Sequence, residues 1–137
     1  MSRSFIRLST AGWIALTAVV VAGGSECSNS MMSPSLAAHD VTIVLNAQTK
    51  TNTAFSPDTF TVSLAAGGTV TWGNGDFTTG SYGTSGTTHT VTSDNAIWDS
   101  GDVAPAHTYS HTFANTGTFN YHCMHHPNMV GTIVVAP

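Results

Sequence analysis

The chain has 137 residues, 41% hydrophobic and only 7% charged, with a formal net charge of −4. That bounds it to one modest domain with enough apolar residues for a core, and excludes a disordered chain. From residue 39 on, Lys50 stands alone against Asp40, Asp58, Asp76, Asp94, Asp99 and Asp102, one positive charge against six negative for a net −5, which excludes nucleic acid and anionic membranes and favours a partner with a basic face.

The first residues do not read as part of a fold. Arg3 and Arg7 are two of the three basic residues, and a mainly apolar run, Leu8 to Ala22, follows them. Gly23-Gly24-Ser25 then supplies small residues. Basic start, apolar run and small-residue zone form the pattern of a secretory signal over residues 1–24. The run is short for a spanning helix, which needs about 20 apolar residues. An uncleaved anchor is the other reading. Cleavage after residue 24 fits best, and a weaker site lies before His39. Residues 25–38 are polar, contain Pro34 and lack periodicity, as a linker does. Cys27 falls in that linker. With export, Cys123 is the only cysteine left in the body, so no disulfide can form within it.

From residue 40 the chain reads as short strands divided by turns. Val41 to Leu45 is a strand, and Phe55-Ser56-Pro57-Asp58 a turn. Thr59 to Leu64 alternates apolar and polar with period two, as a half-buried strand does. Gly67-Gly68 turns the chain into a strand from Thr69 to Trp72. Residues 73–88 are rich in glycine and hydroxyls and predict a long loop, with room for a small hairpin at Tyr82. His89 to Ser93 resumes β-structure, and Trp98 to Asp102 turns again. Thr108 to Phe113 and Thr118 to Cys123 are strands around an Asn115-Thr116-Gly117 turn, and Gly131 to Val135 closes the domain. About seven or eight short strands without helical periodicity predict an all-β Greek-key β-sandwich.

Between the last two strands lies Tyr121-His122-Cys123-Met124-His125-His126-Pro127-Asn128-Met129-Val130-Gly131. Packing does not call for that density of soft donors. Thiolate and thioether suit Cu(I), and imidazole suits copper in either state. Two His, one Cys and a weak axial Met are the ligand set of a blue-copper centre. The loop supplies Cys, Met and one His, so a second His must come from elsewhere. Either of the adjacent imidazoles, His125 or His126, is available within the loop.

The order Trp72-x-Asn74, His89-Thr90-Val91, Phe113, Gly117-x-Phe119-x-Tyr121-x-Cys123-x-x-His126-x-x-Met129-x-Gly131 resembles the cupredoxins over residues 40–136. The short Cys-x-x-His-x-x-Met loop is similar to that of the amicyanins. The resemblance implies one type 1 copper held by His89, Cys123, His126 and Met129, in a copper-binding domain spanning 39–137. It implies a single-electron carrier, not an enzyme, with His126 as the electron port. The same resemblance suggests that His126 leaves Cu(I) on protonation. The partners expected are redox proteins such as a c-type cytochrome, an oxidase or a dehydrogenase, with the carrier exported and monomeric. The alternative is a periplasmic copper-binding or delivery protein that shuttles no electrons. A secreted interaction domain whose loop binds zinc, or nothing, leaves Cys123 unexplained.

Two positions depart from the family. His125 stands where many relatives have Pro, so a backbone N–H is restored near the Cys123 sulfur. If it donates to the thiolate it favours Cu(I). Thr90 stands where Asn is common, and its hydroxyl is the candidate brace for the ligand loop. The remaining histidines get plain readings. His122 should face away from the cluster. His107 and His111, four apart, read as surface or half-buried residues ahead of a second metal site. His39 could join a metal with a free N-terminus if cleavage fell just before it.

Overall fold

A computed structural model of the chain describes residues 36–137. The signal-like residues 1–24 and nearly all of the 25–38 linker lie outside the described residues. The described residues form ten short strands. They are β1 (Val41–Ile43), β2 (Phe55–Ser56), β3 (Thr59–Ser63), β4 (Thr69–Asn74), β5 (Phe77–Gly80), β6 (Gly83–Gly86), β7 (Thr92–Ser93), β8 (Thr108–Thr112), β9 (Gly117–His122) and β10 (Val130–Ala136). The β-sandwich expected from the sequence is what forms. The extra strands are β2, where a turn was expected, and β5 and β6, which form a hairpin around Tyr82 where the long loop left room for one. No helix among the described residues is long and apolar enough to cross a membrane.

Two four-stranded sheets have the orders β2-β1-β4-β8 and β3-β10-β9-β7. The chain passes repeatedly from one sheet to the other, and the parallel pairs β1–β4 and β3–β10 follow from those crossings. The remaining pairings are antiparallel. The β5–β6 hairpin pairs only with itself.

Period-two alternation builds the core. Val70 and Trp72 of β4 and Val41 and Ile43 of β1 are buried beneath one sheet. Tyr121, Ile133 and Val135 are buried beneath the other. Trp72 meets Tyr121 edge to face at 5.6 Å, and Tyr121 meets Phe55 likewise at 4.8 Å, the geometry aromatic quadrupoles prefer. Gly131 lies opposite Tyr121 in the β9–β10 ladder, and a Cβ there would collide with the Tyr121 ring. A glycine at that position lets the ring lie flat over the strand. Trp98 belongs to this core, although the sequence around it reads as a turn. It is 5% exposed and packs on Trp72 and Phe113.

Strand pairing sets up one end of the sandwich. β7 and β9 are neighbours, with Thr92 opposite His122. That brings residues 89–91 beside Cys123, which directly follows β9. His89 is itself pinned by a two-way backbone bridge to Val103. Since β9 and β10 pair up to His122 and Val130, residues 123–129 form the connection between two paired strands.

Candidate metal centre

The connection is shaped by its own backbone. The N–H of His126 donates to the carbonyl of Cys123 at 3.2 Å, and that of Met129 to the carbonyl of His126 at 2.9 Å. The N–H of Cys123 donates back to the carbonyl of Met129 at 3.1 Å. Two consecutive turns and a closing bond thus convert the spacing Cys-x-x-His-x-x-Met into a compact ring. Pro127 follows His126, the second position of the second turn, where its fixed φ is favoured. Met129 and Cys123 are fully buried, and His126 is half-buried.

Three donors converge. His89 Nδ1 lies 3.8 Å from Cys123 Sγ, Cys123 Sγ lies 3.7 Å from His126 Nδ1, and the two Nδ1 atoms lie 3.2 Å apart. Among the described residues this is the group of His, Cys and acidic side chains whose ligand atoms come together, all within 4.8 Å. The circle through the corners of a triangle with those three sides has a radius of about 2.1 Å, close to the roughly 2.0–2.3 Å of metal–imidazole and metal–thiolate bonds. The donors therefore fit an ion shared among them. A thiolate with two imidazoles is also the soft, trigonal set that suits copper.

The sulfur is prepared as a thiolate. Burial pushes its pKa up. That is outweighed by the hydrogen bond with His89, the backbone N–H of Thr90 at 3.3 Å, and the side chain and nearby backbone N–H of His126. The net effect brings it down from 9.0 to about 6. His89 shows the complementary shift. Burial alone would lower its pKa, but the hydrogen bonds to Cys123 and then Asp76, with the charges of both, raise it.

Thr90 acts as the expected brace. Its N–H reaches the sulfur, and its hydroxyl accepts the N–H of Met124 at 2.8 Å. The expectation for His125 is corrected. The backbone N–H that donates to the sulfur is that of Thr90, while the first turn of the loop commits the His126 N–H to the Cys123 carbonyl. His125 instead presents its imidazole to Asp102 at 2.7 Å, and both are exposed. It is His126, not His125, that enters the cluster.

His122 turns away from the cluster and pairs with Asp94 at 2.6 Å. His107 and His111 do not form a pair. His107 precedes β8 and bonds the Pro105 carbonyl, while His111 stacks on Trp98 at 5.1 Å. Burial lowers the pKa of His111. His39 bonds Thr42 and the Ala37 carbonyl. One residue escaped the sequence reading. Asp76, 3% exposed, lies 2.8 Å from His89 Nε2. Its only sequence signal is an acidic residue among glycines at the foot of a hairpin.

No family model matches the chain, and no curated protein matches it. Solved structures do. A purple cupredoxin from Nitrosopumilus maritimus superposes with a TM-score of 0.58 at 24% identity, over 72% of this chain and all of that one. A copper-containing nitrite reductase from Thermus scotoductus gives 0.49 at 23% identity, over 61% of this chain and 20% of the reductase. An amicyanin variant in its Cu(I) form gives 0.41 at 30% identity, over 56% of this chain and 66% of the amicyanin.

Proposed function

From the premise that this chain has the cupredoxin fold, we propose that it is a type 1 copper protein that carries single electrons between redox partners. The observation that carries the reading is the convergence of His89 Nδ1, Cys123 Sγ and His126 Nδ1 within 4.8 Å at one end of a β-sandwich. Met129, buried at the end of the same loop, would be the fourth residue to hold the ion in this reading. Copper, when bound, supplies a one-electron change between Cu(II) and Cu(I).

The chain's own residues do the rest. His89 and Cys123 are held by strand pairing and the Val103 bridge, so the donors have little freedom to rearrange when charge changes. The Thr90 N–H draws density from the sulfur and stabilises the thiolate. Core packing keeps water from Cys123, His89 and Met129, which are 0% exposed. His126 is the one member of the cluster that solvent reaches, and it serves as the port for the electron. Four internal donors leave no position for a substrate water, so the protein is a carrier and not an enzyme.

Asp94, Asp99 and Asp102 are exposed beside this end, two of them paired with His122 and His125. A redox partner with a basic face, such as a c-type cytochrome, an oxidase or a dehydrogenase, fits that surface. The signal-like pattern of residues 1–24 supports work outside the cytoplasm, and the carrier is proposed to act as a monomer. Copper delivery is the second reading, and the exposure of His126 is what favours it. Fast electron self-exchange supports the carrier; ready loss of Cu(I) to an acceptor protein supports delivery.

Addition of Cu(II) to the purified protein tests the centre. An intense thiolate-to-copper absorption is expected, lost in Cys123→Ser. A pale spectrum of nitrogen and oxygen ligation would overturn the reading.

A further inference from the structure

A buried carboxylate stands behind the first histidine of the cluster. His89 Nδ1 faces the thiolate, while Nε2, on the far side of the ring, meets Asp76 Oδ2 at 2.8 Å. A ring nitrogen facing a carboxylate must carry the proton, so this contact selects the Nε2–H tautomer. In the neutral ring, the form that binds an ion, the lone pair of Nδ1 then points at the cluster; without an ion, Nδ1 carries the proton it donates to the thiolate.

Asp76 is itself held on all sides. Its Oδ1 accepts the N–H of Asn46 at 2.7 Å, and its Oδ2 accepts that of Ala47 at 3.3 Å. Those two N–H groups converge because Asn46 adopts left-handed backbone angles, φ 57° and ψ 38°, which asparagine tolerates better than most residues. The N–H of Asp76 donates to Asn74 Oδ1 at 3.0 Å, and its carbonyl accepts the N–H of Thr87 at 3.0 Å. Asn74, fully buried, donates to the carbonyls of Thr87 and Val103. Val103 is the residue that bridges His89. The β5–β6 hairpin is thus closed at its foot by the Asp76 backbone and the Asn74 side chain. Thirteen residues separate Asp76 from His89 in sequence, and the hairpin folds that interval back on itself.

We propose that Asp76 is the positioning residue of the centre: it fixes the tautomer and aim of His89, and its negative charge biases the site toward the oxidised ion. This rests on the copper reading above. A carboxylate hydrogen-bonded to a metal-binding imidazole raises the basicity of that ligand. A nearby negative charge stabilises the doubly charged ion more than the singly charged one.

Asp76→Asn tests it, because the amide keeps the size and can still accept the Asn46 N–H. Cu(II) affinity, measured against a competing chelator, is expected to fall about 10- to 100-fold. The reduction potential is expected to rise. If Cu(II) affinity falls tenfold further than Cu(I) affinity, the rise is about 59 mV for one electron. A purely structural role predicts a lower melting temperature with unchanged potential, and that result overturns the proposal. Should Asp76→Asn not fold, proton NMR of the unaltered Cu(I) protein carries the test. A downfield His89 Nε2 proton protected from exchange supports the proposal, and an ordinary, fast-exchanging one overturns it. An intact thiolate absorption with unchanged Asp76→Asn values sinks this inference alone. Absence of that absorption in the unaltered protein sinks the copper reading and this inference with it.

Discussion

The two histidines of the cluster are held by opposite means. His89 is fully buried, bridged to Val103 through its backbone and backed by Asp76 through its ring. Long-range contacts fix it, and it exists as a donor only once both sheets have formed. His126 is half-buried and sits between two local turns that span residues 123–129. Short-range bonds fix it. One end of the cluster is therefore a property of the sandwich and the other a property of the loop. A frame of this kind can hold geometry on the buried side while exposing one ligand to a partner.

Removing each ring in turn breaks that comparison most severely. His126→Gly and His89→Gly should each lower copper affinity by more than the roughly 10- to 100-fold typical of a supporting residue. Free imidazole should restore the thiolate absorption in His126→Gly, where solvent reaches the site. It should not do so in His89→Gly, whose position is closed by the core. His89→Gly also leaves a buried carboxylate without one partner, a further cost of about 1–3 kcal/mol that His126→Gly does not carry. Thermal melts of the metal-free variants check this second difference. Equal rescue of both variants would show that the two sides are equally accessible.

The thiolate between the two rings gives the next test. The Cys123 thiol falls to about 6 from an ordinary 9.0, and His89 rises. For the cysteine the sign is that of a depressed acid. Its contribution to stability is fully present above the unfolded value near 9.0 and is lost as pH falls through about 6. The raised His89 works the other way, since its contribution is present below 6.5 and fades as pH rises through its folded value. Metal-free protein should show thiolate ultraviolet absorbance appearing near pH 6. Melting temperature should fall as the solution is acidified through that range. In His89→Gly the thiolate should appear at higher pH, because the larger hydrogen-bond partner is gone. A thiol that titrates near 9 in the unaltered protein would remove the preorganised thiolate.

These contrasts also explain what the sequence could and could not convey. The loop side was legible because its bonds are local. Cys-x-x-His-x-x-Met is a statement about two turns, and turns are written in consecutive residues. The strands around it were legible through alternation, as in Thr69 to Trp72. His89 could be found by family resemblance, but nothing near it in the chain points to Asp76. That contact crosses a hairpin, and the carboxylate is aimed by backbone N–H groups of Asn46 and Ala47, thirty and twenty-nine residues away. Trp98 escaped for a related reason. Its neighbours Asp99, Ser100 and Gly101 read as a turn, yet Asp99 pairs with Thr92 in a β-bridge, and the Trp98 side chain drops between Trp72 and Phe113. Residue type announces a turn, and only the packing of distant strands reveals which side chain that turn buries.

His125 supplies the finest test of the difference between the two sides. Standing where many relatives have Pro, it restores an N–H that would favour Cu(I) if it donated to the sulfur. The loop's turn bonds His126 N–H to the Cys123 carbonyl, and the backbone donor at the sulfur, Thr90, comes from the His89 side. His125→Pro therefore removes no donor from the thiolate. It removes the exposed pair with Asp102, worth about 0–1 kcal/mol. The reduction potential of His125→Pro is expected to stay near that of the unaltered protein, with at most a small change in melting temperature. A clear fall in potential would mean that the loop side supplies a further sulfur donor in the copper-loaded protein, and that the thiolate is tuned from His125 as well as from Thr90.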